Sequence, residues 1–167
     1  MYTIRCTKPL LAKLASLTPP GGGSPPPATT SLGDWYANRL NIGRHRLVLC
    51  TSEVTLLSVV VPAKDLPLLP VRMVESLTLL LGRIGVTARL VTNELNEMQL
   101  VRFDRTTNRS ILGSMNSFTA DADAFLRMQP APVYLENLDL RLSDVPCAPL
   151  GYASPAERTR SVLMGAA

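Results

Sequence analysis

The sequence predicts an α+β domain in which a mainly antiparallel sheet, a meander, is packed with several helices. Three observations predict it. Strand-like runs at 35–42, 45–51 and 55–61 follow one another with only Gly43-Arg44 and a short Ser52-Glu53 turn region between them. An amphipathic stretch at 70–85 starts on Pro70 and stops at Gly85, the positions a helix favours for these two residues. The element order is strand, helix, three strands, helices, one strand, helices, which is not the alternation of a parallel α/β sheet. A chain of 167 residues suits one domain spanning 1–167, and a hydrophobic fraction of 46% is enough for a core without disulfides or metal.

Tyr2, Ile4 and Cys6 alternate with Thr3, Arg5 and Thr7, the period of a strand. Leu10, Leu11 and Leu14 then recur at helical spacing. Residues 18–30 are rich in Pro and Gly; lost donors and high backbone entropy predict a flexible surface loop. Val59-Val60-Val61 is apolar throughout, as in a strand covered on both faces. In the 70–85 helix the inward stripe is Val74, Leu77, Leu80, Leu81 and Ile84. A short helix is expected at 92–98, a strand at 100–103, a long helix at 108–128, and a helix at 135–142 with Leu135, Leu138 and Leu142 inward. Ser154-Pro155-Ala156-Glu157 is a capping box that opens a terminal helix fraying at 165–167.

Composition narrows the function classes. No apolar run approaches the roughly 20 residues that span a bilayer, so no membrane role is expected. Arg5, Lys8 and Lys13 interrupt the N-terminal segment, which is not read as a secretory signal. Cys6, Cys50 and Cys147 form no Cys-x-x-Cys pair and read as buried thiols of a reducing, cytoplasmic setting. Net charge is +4, and before Glu53 the only acid is Asp34. His45 stands between Arg44 and Arg46 with no metal-ligand spacing around it, and neither metal nor cofactor is expected. The acids form no catalytic pair: Asp121 and Asp123, like Glu94 and Glu97, read as solvated helix positions.

The segment that stands out is Thr106-Thr107-Asn108-Arg109-Ser110-Ile111-Leu112-Gly113-Ser114-Met115-Asn116. Asn108 or Thr107 can cap the long helix, and Ile111, Met115, Phe118, Ala122 and Phe125 share its inner face. Arg109, Gly113 and Asn116 share another face, where a glycine costing roughly 1 kcal/mol of helix propensity implies close approach of a ligand or backbone. The helix start, with Ser110 and the guanidinium groups of Arg105 and Arg109, predicts an anion site. Arg5 and Lys8 join it if the first strand lies beside the strand at 100–103. Trp35 and Asn38, in Asp34-Trp35-Tyr36-Ala37-Asn38, either anchor the loop end or offer a stacking surface for a base. The bland alternative is a capped helix with solvated arginines.

Four blocks carry a resemblance: Ile4-Arg5-Cys6-Thr7-Lys8 with Leu10-Leu11, Leu32-Gly33-Asp34-Trp35-Tyr36-Ala37-Asn38, Cys50-Thr51 through Leu56, and Thr107 through Asn116. In these the chain resembles an uncharacterised family of small bacterial proteins, a domain of unknown function, and departs from it in a longer, charge-poor Pro/Gly loop. The resemblance implies one domain and no particular activity. The residues themselves rank a non-catalytic binding module for a phosphate-bearing ligand or nucleic acid first. A protein-interaction module, such as one of a bacterial regulatory or toxin-neutralising pair, ranks second and an enzyme third.

Overall fold

The computed structural model describes residues 1–17 and 23–165. Its elements are β1 (Tyr2–Cys6), α1 (Lys8–Lys13), β2 (Trp35–Ile42), β3 (His45–Ser52), β4 (Ser58–Pro62), α2 (Leu69–Arg83), α3 (Ala88–Glu97), β5 (Val101–Arg105), α4 (Arg109–Met128), α5 (Leu135–Ser143) and α6 (Pro155–Gly165). The chain is α+β. The five strands form one sheet in the order β4-β3-β2-β1-β5. The meander β2-β3-β4 is antiparallel, with Trp35 opposite Ser52 and Cys50 opposite Val59. The sheet as a whole is mixed, which corrects the mainly antiparallel expectation: β1 runs parallel to both β2 and β5. The period of an isolated strand such as β1 says which side chains share a face, and nothing about the direction of its neighbours.

Helices cover both faces. Ile4, Cys6, Trp35, Val48 and Val59 meet Leu10 of α1, Met73 and Leu77 of α2, Val91 of α3 and Leu163 of α6. On the opposite face Tyr36, Leu40, Leu49 and Val60 meet Ile111, Met115 and Phe118 of α4 and Leu138 and Leu142 of α5. In α4 the deepest place near the C-terminal end belongs to Leu126, with Phe125 only half-buried. Leu135 of α5 is likewise half-buried.

Two boundaries differ from the sequence reading. β4 begins at Ser58 because Leu56 adopts a left-handed φ of 57° and the Ser52 hydroxyl gathers the N–H groups of Val54 and Thr55 into a turn. Helix α3 begins at Ala88, a turn earlier than expected. Of the Pro/Gly loop, residues 18–22 lie outside the described residues, as do 166–167 beyond α6. From 23 to 30 the chain has no regular structure. Its end is packed: Ala28 leans on the core, Thr30 is buried, and its hydroxyl donates to the Gly33 carbonyl at 2.9 Å. The capping box of α6 is formed reciprocally, Ser154 N–H to the Glu157 carboxylate at 2.8 Å and Glu157 N–H to Ser154 Oγ at 3.2 Å. No helix among the described residues is long and apolar enough to cross a membrane.

Candidate functional site

β1 and β5 lie side by side, Ile4 opposite Phe103 and Cys6 opposite Arg105. Their chains leave in opposite directions. After Cys6 the chain enters α1, on the face of Ile4 and Cys6; after Arg105 it enters α4, on the face of Tyr36 and Leu40. Where adjacent parallel strands send their connections to opposite faces, a crevice opens outside their carboxyl ends, the usual ligand position in open sheets of this kind.

The residues there are held in place by hydrogen bonds between elements distant in sequence. Thr106 N–H donates to the Cys6 carbonyl at 3.3 Å and Thr7 N–H to the Ala37 carbonyl at 3.0 Å, so the ladder runs to the carboxyl ends of the strands. The Thr7 hydroxyl donates to Asn38 Oδ1 at 2.9 Å, and the hydroxyls of Tyr36 and Thr107 lie 3.1 Å apart. Lys8, Arg105 and Arg109 are exposed and form no ion pair among the described residues. Asn116 and Gly113 lie on the exposed side of α4. A Cβ on Gly113 would meet nothing within 4 Å, so no packing inside the chain requires that glycine.

Several expectations change. Asn108 Oδ1 accepts from Ser110 N–H at 2.9 Å and Ile111 N–H at 3.4 Å. Two of the helix-start amides expected to hold an anion are therefore spent on the cap, and an anion there would depend mainly on side chains. Arg5 is not free either: Nε and Nη2 reach Asp34 Oδ2 at 3.0 and 2.9 Å, and Nη1 lies 3.6 Å from Asp104. β1 does lie beside β5, but its arginine is already neutralised. Trp35 is fully buried, its indole N–H without a partner among the described residues, and offers no face to a base. The Arg44-His45 hairpin tip lies against Leu126, Arg127 and Gln129, at the far end of α4 from Arg109. Arg105 and Arg109 are thus separate from Arg44 and His45.

Three carboxylates expected to be solvated, or not singled out, are buried instead. Asp34 accepts Thr3 N–H at 2.9 Å besides Arg5. Glu94 accepts the N–H groups of Ser31 and Leu32, both at 2.9 Å, which corrects its reading as a solvated residue. Asp139 accepts Val60 N–H, and burial pushes its carboxyl up to about 8, Glu136 adding to the rise while the Val60 N–H and Arg83 oppose it. Two of these carried a signal. Glu94 sits three residues after Val91 and four before Met98; Asp139 sits four after Leu135 and three before Leu142. Both therefore lie on an inward stripe. The three cysteines are buried and unpaired. No three of the described His, Cys, Asp and Glu side chains come together as a metal site.

A family model described as "Domain of unknown function (DUF6933)" matches residues 3–158. No curated protein and no solved structure matches the chain.

Proposed function

We propose that this chain, which belongs to the DUF6933 family of domains of unknown function, is a non-catalytic binding module for a compact phosphate-bearing ligand held in the crevice between α1 and α4. One observation carries this reading: the chains leaving β1 and β5 diverge to opposite faces beside Lys8, Arg105 and Arg109, cations unpaired among the described residues. Arginine supplies a planar fork that fits two phosphate oxygens, and the Thr7–Asn38 and Tyr36–Thr107 pairs supply neutral hydrogen bonds beside it. A compact ligand is favoured over a nucleic acid because the second basic group, the hairpin tip beside an Arg127 already paired with Asp123 at 2.7 Å, stands roughly 27 Å along α4 from Arg109.

The test is equilibrium binding of inorganic phosphate, a panel of free nucleotides and a mixed oligonucleotide pool, each at low and moderate salt. Free nucleotides or phosphate should bind, and Arg105→Ala and Arg109→Ala should each weaken binding by roughly tenfold or more while Arg127→Ala does not. Binding of the oligonucleotide pool alone, with a steep salt dependence, would replace the compact ligand by a nucleic acid. If nothing binds, or if Arg109→Ala and Arg127→Ala lose affinity equally, the crevice is not the site. A second reading, a protein-interaction module, is favoured by a separate feature, the open edge of the sheet at β5.

A further inference from the structure

The two edges of the sheet are treated differently. At β4 the outward Val60 N–H is taken by the buried Asp139 of α5, and Pro62 has no N–H to offer. At β5 no described residue takes an outward main-chain group from another element. Tyr2 N–H donates to the Leu100 carbonyl and Thr106 N–H to the Cys6 carbonyl, which sets the ladder with β1. With that register, the N–H and C=O groups of Val101, Phe103 and Arg105 point away from β1. Among the described residues they have one partner: Arg105 N–H donates to its neighbour's carboxylate, Asp104 Oδ1, at 2.7 Å. A row of unpaired main-chain groups is a template for another strand.

We propose that the strand it takes is β5 of a second copy of this chain, antiparallel about a two-fold axis through Phe103. The sequence Val101-Arg102-Phe103-Asp104-Arg105 is self-complementary in that register. Phe103 faces the partner's Phe103 as a hydrogen-bonded pair, and Val101 faces the partner's Arg105 as the next one. All outward N–H and C=O groups of the strand are then used. Arg102 and Asp104 fall in the intervening non-hydrogen-bonded positions, each opposite the other in the second chain, where side chains stand closest across an antiparallel pair. Two opposite-charge pairs result. Shifting the register by two residues would place Arg102 against Arg102 or Asp104 against Asp104, so the charges also select the alignment.

The charges involved have capacity to spare. Asp104 is about one-third exposed, and its only ion-pair contact among the described residues is the 3.6 Å approach of Arg5, whose main partner is Asp34. Arg102 is half-buried with no ion-pair partner among the described residues. On pairing, Arg105 N–H turns to the partner's Val101 carbonyl, and Asp104 exchanges that local bond for the partner's Arg102. The product is a continuous ten-stranded sheet closed by symmetry, without a free edge at β5. The inference rests on this edge and not on the crevice, which lies beyond the strand ends.

Sedimentation equilibrium from low micromolar to near-millimolar concentration, with hydrogen exchange read at Phe103, tests it. The wild-type chain should pass from monomer to dimer, and the Phe103 amide should gain protection as it does. Arg102→Asp and Asp104→Arg each place like charges opposite one another and should weaken dimerisation by roughly tenfold or more. An equimolar mixture of the two variants should restore it as a heterodimer, a result that a misfolded variant cannot give. The double variant should also dimerise. A chain that stays monomeric throughout overturns the proposal. So does a dimer whose affinity ignores both substitutions and whose Phe103 amide exchanges freely.

Discussion

Oδ1 of Asp139 on α5 lies 2.8 Å from the backbone nitrogen of Val60 on β4, joining residues 79 positions apart. A helix thereby takes up an outward strand amide, using a carboxyl group that burial keeps neutral to about pH 8. The folded chain holds this proton where the unfolded chain, with an ordinary carboxyl near 3.8, releases it. The contribution of Asp139 to stability is therefore intact below about pH 4, declines as pH rises toward 8, and is fully adverse above 8. Urea melts across this range should show that slope in the wild type. Asp139→Asn, which keeps an acceptor for Val60, should flatten it and gain on the order of a few kcal/mol relative to wild type at pH 9. Parallel pH profiles for the two proteins would show that the carboxylate ionises at no cost.

Asp34 serves a different end, tying β1 to the start of β2 through Thr3 N–H and two nitrogens of Arg5. Asp34→Ala leaves a guanidinium that is 16% exposed without its principal partner. A loss of roughly 3–5 kcal/mol is expected, with Asp34→Asn between it and wild type. Chemical denaturation measures this directly, and a loss under about 1 kcal/mol would mean Asp104 and solvent suffice.

Two glycines should respond in opposite directions to alanine. Gly33 has a φ of 73°, and a Cβ there would stand 2.7 Å from Val54 Cγ2, so Gly33→Ala should cost about 1–3 kcal/mol. Gly113 is inside an exposed helix face with open space around it, so Gly113→Ala should gain about 1 kcal/mol. This reverses the loss of stability that close packing would have implied. If that same variant binds phosphate ligands less well, the space is kept for the ligand; thermal melts and binding isotherms separate the two effects.

The Pro/Gly loop divides into a part the fold ignores and a part it uses. Replacing 23–27 with a Gly/Ser stretch of equal length should change stability by no more than about 0.5 kcal/mol. Glu94→Ala, which strands the N–H groups of Ser31 and Leu32 just past the loop, should cost on the order of 2–4 kcal/mol. Equal effects of the two changes would mean the loop end is not anchored by α3.

Burial pushes the Cys6 thiol up to about 12 and raises Cys50 and Cys147 as well. In the folded chain at pH 8 all three should react with an aromatic disulfide reagent far more slowly than a free thiol, and the rate should climb with urea through the unfolding transition. A thiol modified fast without denaturant would show that its element opens locally.

Much of the molecule is written in local pattern. The alternation at Tyr2-Ile4-Cys6, the turn at Gly43-Arg44, the proline start of α2 and the Ser154–Glu157 box each depend on residues a few positions apart, and each element formed where those residues stand. Helix α4 begins at Arg109 because Asn108 caps it, a relationship legible from spacing alone. The match to an uncharacterised domain family extends over residues 3–158.

Distance in sequence is where that pattern ends. Whether Arg5 is a free cation or a neutralised one depends on Asp34 and Asp104 arriving from other elements. Whether Trp35 faces a base or the core depends on which helices settle over β2. Strand period specifies a face but not a neighbour, so β1's parallel pairing with both β2 and β5, and the crevice and open edge that follow from it, came only from tertiary structure. Most elements, most of their inward stripes and the caps at Asn108 and Ser154 are legible locally, because backbone geometry and side-chain period act over a few residues. Which charges stay unpaired follows from the assembled fold, because a side chain's charge is neutralised by whatever other elements bring within hydrogen-bonding reach.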